Sequence, residues 1–290
     1  MSKQINLEFK IEQEALLLEF LYQNIKDKSK NNIKSLLSKK NTYVNGKNIT
    51  KFDYQLKKGD LVEIKLFRID NEKTKIDILY EDDGIIVVNK PSGLLSISTL
   101  KEKEKTMYHL VSDYIKKNNP KNRIFIVHRL DKDTSGIIMF CKSEKLKNIF
   151  QDNWDSLVKT REYIAIVEGN DIKESGTIKT FLKENSRMLV YATNKEEGKE
   201  AITHYKKIKQ NEKYTMLEVK LDTGRKNQIR VHMNTIGTSV IGDPKYGSTT
   251  NPIKRLGLHA NVLEFIHPIT KKVMRFETQV PEEFNRVFKK

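Results

Sequence analysis

Two polar blocks of this 290-residue chain hold side chains that could do chemistry. The first, residues 127–136, reads Val-His-Arg-Leu-Asp-Lys-Asp-Thr-Ser-Gly: an apolar run breaks into a charged loop and then re-enters an apolar run. Such a loop presents polar side chains at a sheet edge, and it holds two carboxylates, Asp131 and Asp133. Asp133 opens Asp-x-Ser-Gly, which favours a self-bonded turn, so on spacing alone both acids read as turn caps. The second block, residues 222–233, places Arg225, Lys226, Gln228 and Arg230 directly after Gly224. A cluster of this kind clamps phosphates or keeps a nearby carboxylate ionised, and the plain alternative is a solvated helix face. Other chemistries lose support. The six histidines (109, 128, 204, 232, 259 and 267) form no His-Glu-x-x-His pair, and no Walker loop, Gly-x-Gly-x-x-Gly or Gly-x-Ser-x-Gly occurs. The single cysteine, Cys141, excludes an internal disulfide framework and a multi-cysteine metal site.

The elements that must position these blocks are mostly strands. Short apolar runs recur at 78–80, 85–88, 124–127, 136–141, 163–167, 189–192, 215–221 and 273–277, and helices are expected at 106–117, 144–152 and 226–235. A strand-rich chain with scattered helices implies an α+β catalytic domain over residues 78–290 with a mixed or antiparallel central sheet. No run approaches the roughly 18 apolar residues that cross a bilayer, and no signal-peptide core stands at the N-terminus, so a cytoplasmic protein with no membrane partner is expected.

The net charge is +16, and it is unevenly spread. Residues 21–58 hold ten lysines and two acids, half of the net charge in a short stretch, which points to a phosphate-binding surface. Leu16, Leu17, Phe20 and Leu21 repeat at helical spacing, as do Ile33, Leu36 and Leu37, so two short helices are expected. Asn45-Gly46 marks a hairpin, because both turn positions need positive φ. Lys58-Gly59-Asp60 leads into a strand over 61–66. Together these make a small α+β module over residues 1–68, with a polar linker at 69–77. The lysine-rich second helix, Tyr-Val-Asn-Gly-Lys at 43–47 and Leu-Lys-Lys-Gly-Asp-Leu-Val-Glu-Ile at 56–64 resemble the alpha-L RNA-binding module of ribosomal proteins. Lys30, Lys34 and Lys40 would share one side of a helix running through them and are the expected RNA contacts.

The loop at 128–136, His-Arg-Leu-Asp-Lys-Asp-Thr-Ser-Gly, is similar to the signature of the RluA-type RNA pseudouridine synthases. Four more blocks match in order: residues 82–94, 161–169, 223–247 and 255–270. The resemblance implies isomerisation of specific uridines in structured RNA, most of all 23S ribosomal RNA, with transfer RNA as the alternative substrate. A non-catalytic RNA-binding assembly factor on the same fold is the alternative from another class. It implies no cofactor and no metal, and a monomer is expected. By the motif match Asp131 is the reacting carboxylate, acting as nucleophile on sugar or base or as general base. Arg230 is the expected ion-pair partner, its planar fork orienting that carboxylate. Tyr163 would pack on the uracil. Arg129 would fill the gap left by a flipped nucleotide, His128 would fix the loop or contact the backbone, and Arg225 is a further substrate-binding candidate. Three departures from the family pattern, Lys226-Asn227, Arg161 and Ser96-Ile97-Ser98, are expected near the pocket rim.

Overall fold

The computed structural model describes residues 3–25, 30–38, 41–68, 76–99 and 105–289, in two compact units, Met1–Lys75 and Ile76–Lys290. In the first, the strands Lys3–Lys10, Leu61–Arg68, Thr42–Val44 and Lys47–Asn48 lie side by side in that order. Asn45 and Gly46 take φ of 49° and 74°, the positive values that a tight hairpin needs. The helices Leu17–Asn24 and Lys30–Ser38 bury Leu17, Leu21, Ile33, Leu36 and Leu37 against Val44, Val62 and Ile64 of the sheet. Leu16 instead precedes the first helix in extended conformation and stays exposed. The strand Lys3–Lys10 was not read from the sequence, although Ile5, Leu7 and Phe9 alternate with polar residues as a half-buried strand requires. Most of the expected linker lies outside the described residues, but its last residue, Asp77, opens the strand Asp77–Glu81.

The second unit is built on an eleven-stranded mixed sheet, an α+β arrangement as expected. Ile85–Lys90 and Ser135–Cys141 run antiparallel toward one end of it. Because successive side chains alternate faces, Ile86, Val88, Ile138 and Phe140 meet the helix Met107–Asn118 through Met107, Val111 and Ile115. Ile85, Val87, Ile137 and Met139 meet Leu146 and Phe150 of the helix Glu144–Asp152 on the other face. Burial on both faces explains why these strands are continuously apolar.

Three neighbouring strands bring the two polar blocks together. Val158–Glu168 is flanked by Tyr214–Leu221 and Leu258–Ile266, and the latter pairs in parallel with Ser135–Cys141. Tyr163 lies opposite Val219 and Ala260, and Ala260 lies opposite Gly136, so Tyr163 and the end of the Asp131 loop share one row of the sheet. Gly136 has φ of 115°, and a Cβ there would stand 2.1 Å from the Ala260 carbonyl oxygen; only glycine admits this close approach. Between Glu162 and Tyr163 the register slips by one, leaving Asn261 as the extra residue of a bulge beside Tyr163. The strands Ser175–Glu184, Lys199–Gln210 and Leu258–Ile266 were not read from the sequence. The first two are rich in lysine and threonine and carry little apolar signal.

Candidate active site

The loop that carries Asp131 is held from behind. Leu130 donates its N–H to Ser96 Oγ at 3.1 Å, and that hydroxyl donates to the Leu130 carbonyl at 2.7 Å. Ser92 Oγ donates to the Asp133 carbonyl. Lys90 is fully buried and donates from Nζ to the carbonyls of Pro91, Leu94 and Lys132. Burial pushes its ammonium down to about 7, against the pull of Asp133 and Asp131. Ser96, expected near the pocket rim, is thus a buried clasp on the loop. On the far side Arg255 donates to Ser135 Oγ at 2.6 Å, and Ser135 meets His259 Nδ1 at 2.7 Å.

His128, Arg129, Asp131, Tyr163, Arg225 and Arg230 all line one cleft of about 810 Å³. Asp131 comes from the loop, Tyr163 from the central strand and Arg230 from the helix Gln228–Thr235. That helix starts two residues later than the sequence suggested, because Asn227 takes a left-handed conformation with φ of 54°. Asn and Gly are the residues that tolerate this turn best, and it ends the preceding loop. The solvated helix face fails as a reading of Arg230, whose side chain is only 13% exposed.

Arg230 does reach Asp131, with Nη1 to Oδ2 at 3.2 Å, but its planar fork is not spent there. Nε and Nη2 grip the two carboxylate oxygens of Asp243 at 2.6 and 2.7 Å, and Nη1 also donates to Asn227 Oδ1 at 3.1 Å. The expectation that the fork orients Asp131 is therefore corrected: Asp243, 1% exposed, is the bidentate partner and Asp131 receives one bond. The guanidinium lies over the Tyr246 ring, 4.9 Å from its centroid, and the Tyr246 hydroxyl takes a bond from Asn227. Burial opposes the charge on Arg230, yet Asp243 and Asp131 outweigh it and hold the guanidinium above its ordinary pKa. A permanent cation thus stands beside the Asp131 carboxylate, which remains 30% exposed toward the cleft.

Tyr163 is half-buried, and burial raises its phenol pKa, aided by Asp131 and opposed by Arg161, so the hydroxyl keeps its proton at neutral pH. His128 accepts the Met139 N–H at Nε2, which assigns its proton to Nδ1. Burial, with Arg161, pushes this imidazole down to about 4, so it is neutral and serves the loop. Its ring leans on Trp154, whose other neighbour is the guanidinium of Arg161. Arg129 is exposed at the cleft, and exposed Arg225 donates from Nε to the Glu200 carbonyl. Lys226 is paired with Glu184. Lys30 and Lys34 lie in the other unit, exposed on the helix Lys30–Ser38, with Lys30 5.7 Å from the Tyr22 ring; Lys40 lies outside the described residues. Among the described residues no group of three or more His, Cys, Asp or Glu is placed to hold a metal ion, and no helix is long and apolar enough to cross a membrane.

Asp243, Tyr246 and Lys90 were missed as site residues, and Asn227, expected near the pocket rim, is buried and bonded to Arg230. Asp243 and Tyr246 sit in Gly-Asp-Pro-Lys-Tyr-Gly at 242–247, where the run of turn residues and the family-like block 223–247 were the signals.

Comparison with known proteins points one way. Residues 84–235 match the family described as RNA pseudouridylate synthase. The uncharacterized RNA pseudouridine synthase YjbO of Bacillus subtilis is 31% identical over 85% of this chain and 89% of its own length. The ribosomal large subunit pseudouridine synthase D of Yersinia pestis is 30% identical over 98% of this chain and 94% of its own. Among solved structures, human RNA pseudouridylate synthase domain containing 4 shares the fold, with a TM-score of 0.59 and 20% identity over 72% of this chain and 90% of that one.

Proposed function

This chain belongs to the RNA pseudouridylate synthase family and is an isomerase, and from that premise we propose that it converts specific uridines of 23S ribosomal RNA to pseudouridine, with Asp131 as the reacting carboxylate. The observation that carries the reading is the meeting of Asp131 and Arg230, 99 residues apart in sequence, in a cleft that also holds Tyr163. The reaction breaks the bond from ribose C1′ to uracil N1 and joins C1′ to C5. C5 gives up a proton and N1 gains one, so atoms balance without a cofactor or a metal.

The geometry suits each step. The Arg230 cation favours an ionised Asp131 in a partly dry site, and Asp243 keeps that cation in place when the carboxylate reacts. Tyr163, protonated and on a rigid strand, offers a flat face for the turning base and a hydroxyl beside it. Arg129, exposed at the mouth, fills the stack that the extruded base leaves, which offsets the cost of flipping. Arg225 holds a phosphate, while His128 secures the loop. The first unit acts as an alpha-L-type RNA grip through Lys30, Lys34 and Lys40. The reading takes the protein to act as a monomer, and a ribosomal RNA substrate implies action in the cytoplasm. The choice of RNA is supported by the large-subunit name of the Yersinia relative.

Mapping pseudouridines in total RNA tests this, using cells with the protein, without it, and with Asp131→Asn. A site in 23S RNA that disappears in the last two strains is expected. Loss confined to transfer RNA would move the substrate, and no loss anywhere would end the enzymatic reading.

A further inference from the structure

Beyond the cleft, one carboxylate is bonded more densely than its position at the end of a strand requires. Glu168 closes the strand Val158–Glu168 that carries Tyr163. Its Oε1 lies within bonding range of five donors: Thr250 N at 2.6 Å, Thr250 Oγ1 at 2.7 Å, Thr249 N at 2.8 Å, Ser248 Oγ at 2.9 Å and Thr249 Oγ1 at 3.4 Å. All five come from one loop. The Glu168 backbone bonds a different stretch, residues 238–239 ahead of that loop, its N–H donating to the Ser239 carbonyl and its carbonyl accepting from Thr238 Oγ1. An ionised carboxylate is acceptor only, so it can gather such donors without presenting a competing proton. Burial acts against the charge, but the bonds from Thr250 and Ser248 prevail and hold the carboxyl below its ordinary range.

The gathered loop is the one that presents Asp243. Ser248 N and Tyr246 N both donate to the Asp243 carbonyl, at 3.0 and 3.1 Å. Gly242 N bonds the Thr250 carbonyl at 2.8 Å and Ser248 Oγ at 3.1 Å. Gly242 has φ of 71°, and a Cβ there would meet the Arg255 carbonyl oxygen at 2.2 Å, so the turn leading into Asp243 admits only glycine at this position. From Asp243 the path continues through the fork of Arg230 to Asp131.

We propose that Glu168 is a positioning residue of the site: by drawing Ser248, Thr249 and Thr250 onto one oxygen it sets the 242–250 loop, which seats Asp243 under Arg230 and so aims the guanidinium at Asp131. This rests on the reading of Asp131 and Arg230 as the reacting pair. Glu168 touches no substrate. Its effect passes through a bidentate bond whose geometry fails with small displacements, and a misplacement of about 1 Å can cost about a hundredfold in rate.

The test uses the full chain as wild type, Glu168→Gln, Asp243→Asn and the double variant. One readout is tritium released from total RNA labelled with [5-³H]uridine in cells lacking the protein. The other is solvent exchange of the Arg230 Nε–H by NMR, assigned with Arg230→Lys. Glu168→Gln should lower the saturating rate about ten- to a hundredfold, leave the half-saturating RNA concentration within about twofold, and speed the Arg230 exchange. The double variant should be no slower than Asp243→Asn alone, since both act on one path. Unchanged Arg230 exchange, or losses that multiply in the double variant, would overturn the proposal. Should Glu168→Gln fail to fold, Thr250→Val removes one hydroxyl donor and should shift the same readouts in the same direction. A wild type that releases no tritium would fail the catalytic reading, while the exchange measurement would still decide the role of Glu168.

Discussion

In the unit Met1–Lys75, all the lysines whose side chains are described, 10, 30, 34, 47, 51, 57 and 58, are exposed. In the unit Ile76–Lys290, Lys90 is fully buried, and Arg230 and Asp243 are nearly so. The same charge does different work in the two settings. Exposed ammonium groups act through a field that salt screens within about 8–10 Å, which suits holding a polyanion without demanding a fixed pose. Buried charges cost much to desolvate and persist only when their partners are in place, so they hold geometry. On the proposed function, the first unit grips the RNA and the second aims the reacting groups.

That contrast can be broken in four ways. The largest effect belongs to Asp131→Asn, which should cut tritium release roughly 10²–10⁴-fold while leaving RNA retention on a filter unchanged; a loss of retention would place Asp131 in binding rather than reaction. Next, Asp243→Asn leaves the Arg230 charge without its buried partner and should destabilise the catalytic unit by about 3–5 kcal/mol, read by denaturant unfolding. A loss below about 1 kcal/mol, the size of an exposed pair, would show that the pair is open to solvent.

Acid should separate the units in a third way. Burial pushes His128, His232 and His259 down to about 4, helped by Arg161 at His128 and by Arg255 at His259. Between their ordinary 6.5 and about 4 the unfolded chain takes up protons that the folded chain refuses, so stability of the catalytic unit falls as pH drops through that window. All six histidines lie in that unit. In the first unit Asp60 is held below its ordinary 3.8 by the Lys57 N–H and Asn45, and the stability it contributes is lost only at lower pH. Acid unfolding followed by near-ultraviolet dichroism for Trp154, with amide exchange for the first unit, should show the catalytic unit failing first. The smallest effect is expected for the pair Lys30→Gln and Lys34→Gln. The slope of log affinity against log salt should fall by about 0.7–0.9 for each lysine that meets a phosphate, with the catalytic rate at saturating RNA unchanged. An unchanged slope would remove these two lysines from the RNA contact.

The parts of the fold that were legible in the sequence rest on short-range pattern. The helices over Leu17–Asn24 and Glu144–Asp152 show in apolar spacing, and the Asn45-Gly46 hairpin shows because few residues tolerate its backbone. The continuous runs at 85–88 and 136–141 marked strands, which the structure covers on both faces. Strands such as Lys199–Gln210 stayed hidden, since Lys207 and Lys209 stand at the less exposed positions and Ile208 at an exposed one, which breaks the alternation. In the site, Asp131 and Arg230 stood out within polar blocks, whereas Asp243 looked like a turn residue and Lys90 like one more lysine in a lysine-rich chain.

By itself the sequence determined the family likeness, the basic character of the first unit and the pair of blocks from which the cleft is made. These depend on residue identity and on spacings of a few positions, which local sterics translate directly into turns and helices. Only the tertiary structure decided that the Arg230 fork belongs to Asp243, that Lys90 ties down the Asp131 loop, that a bulge at Asn261 stands beside Tyr163, and that Glu168 gathers the 248–250 segment. Each of these joins groups that are remote along the chain. Which donor finds which acceptor is settled by how the strands stack and by the requirement that buried charges and polar atoms be paired, a constraint that spacing along the sequence does not encode.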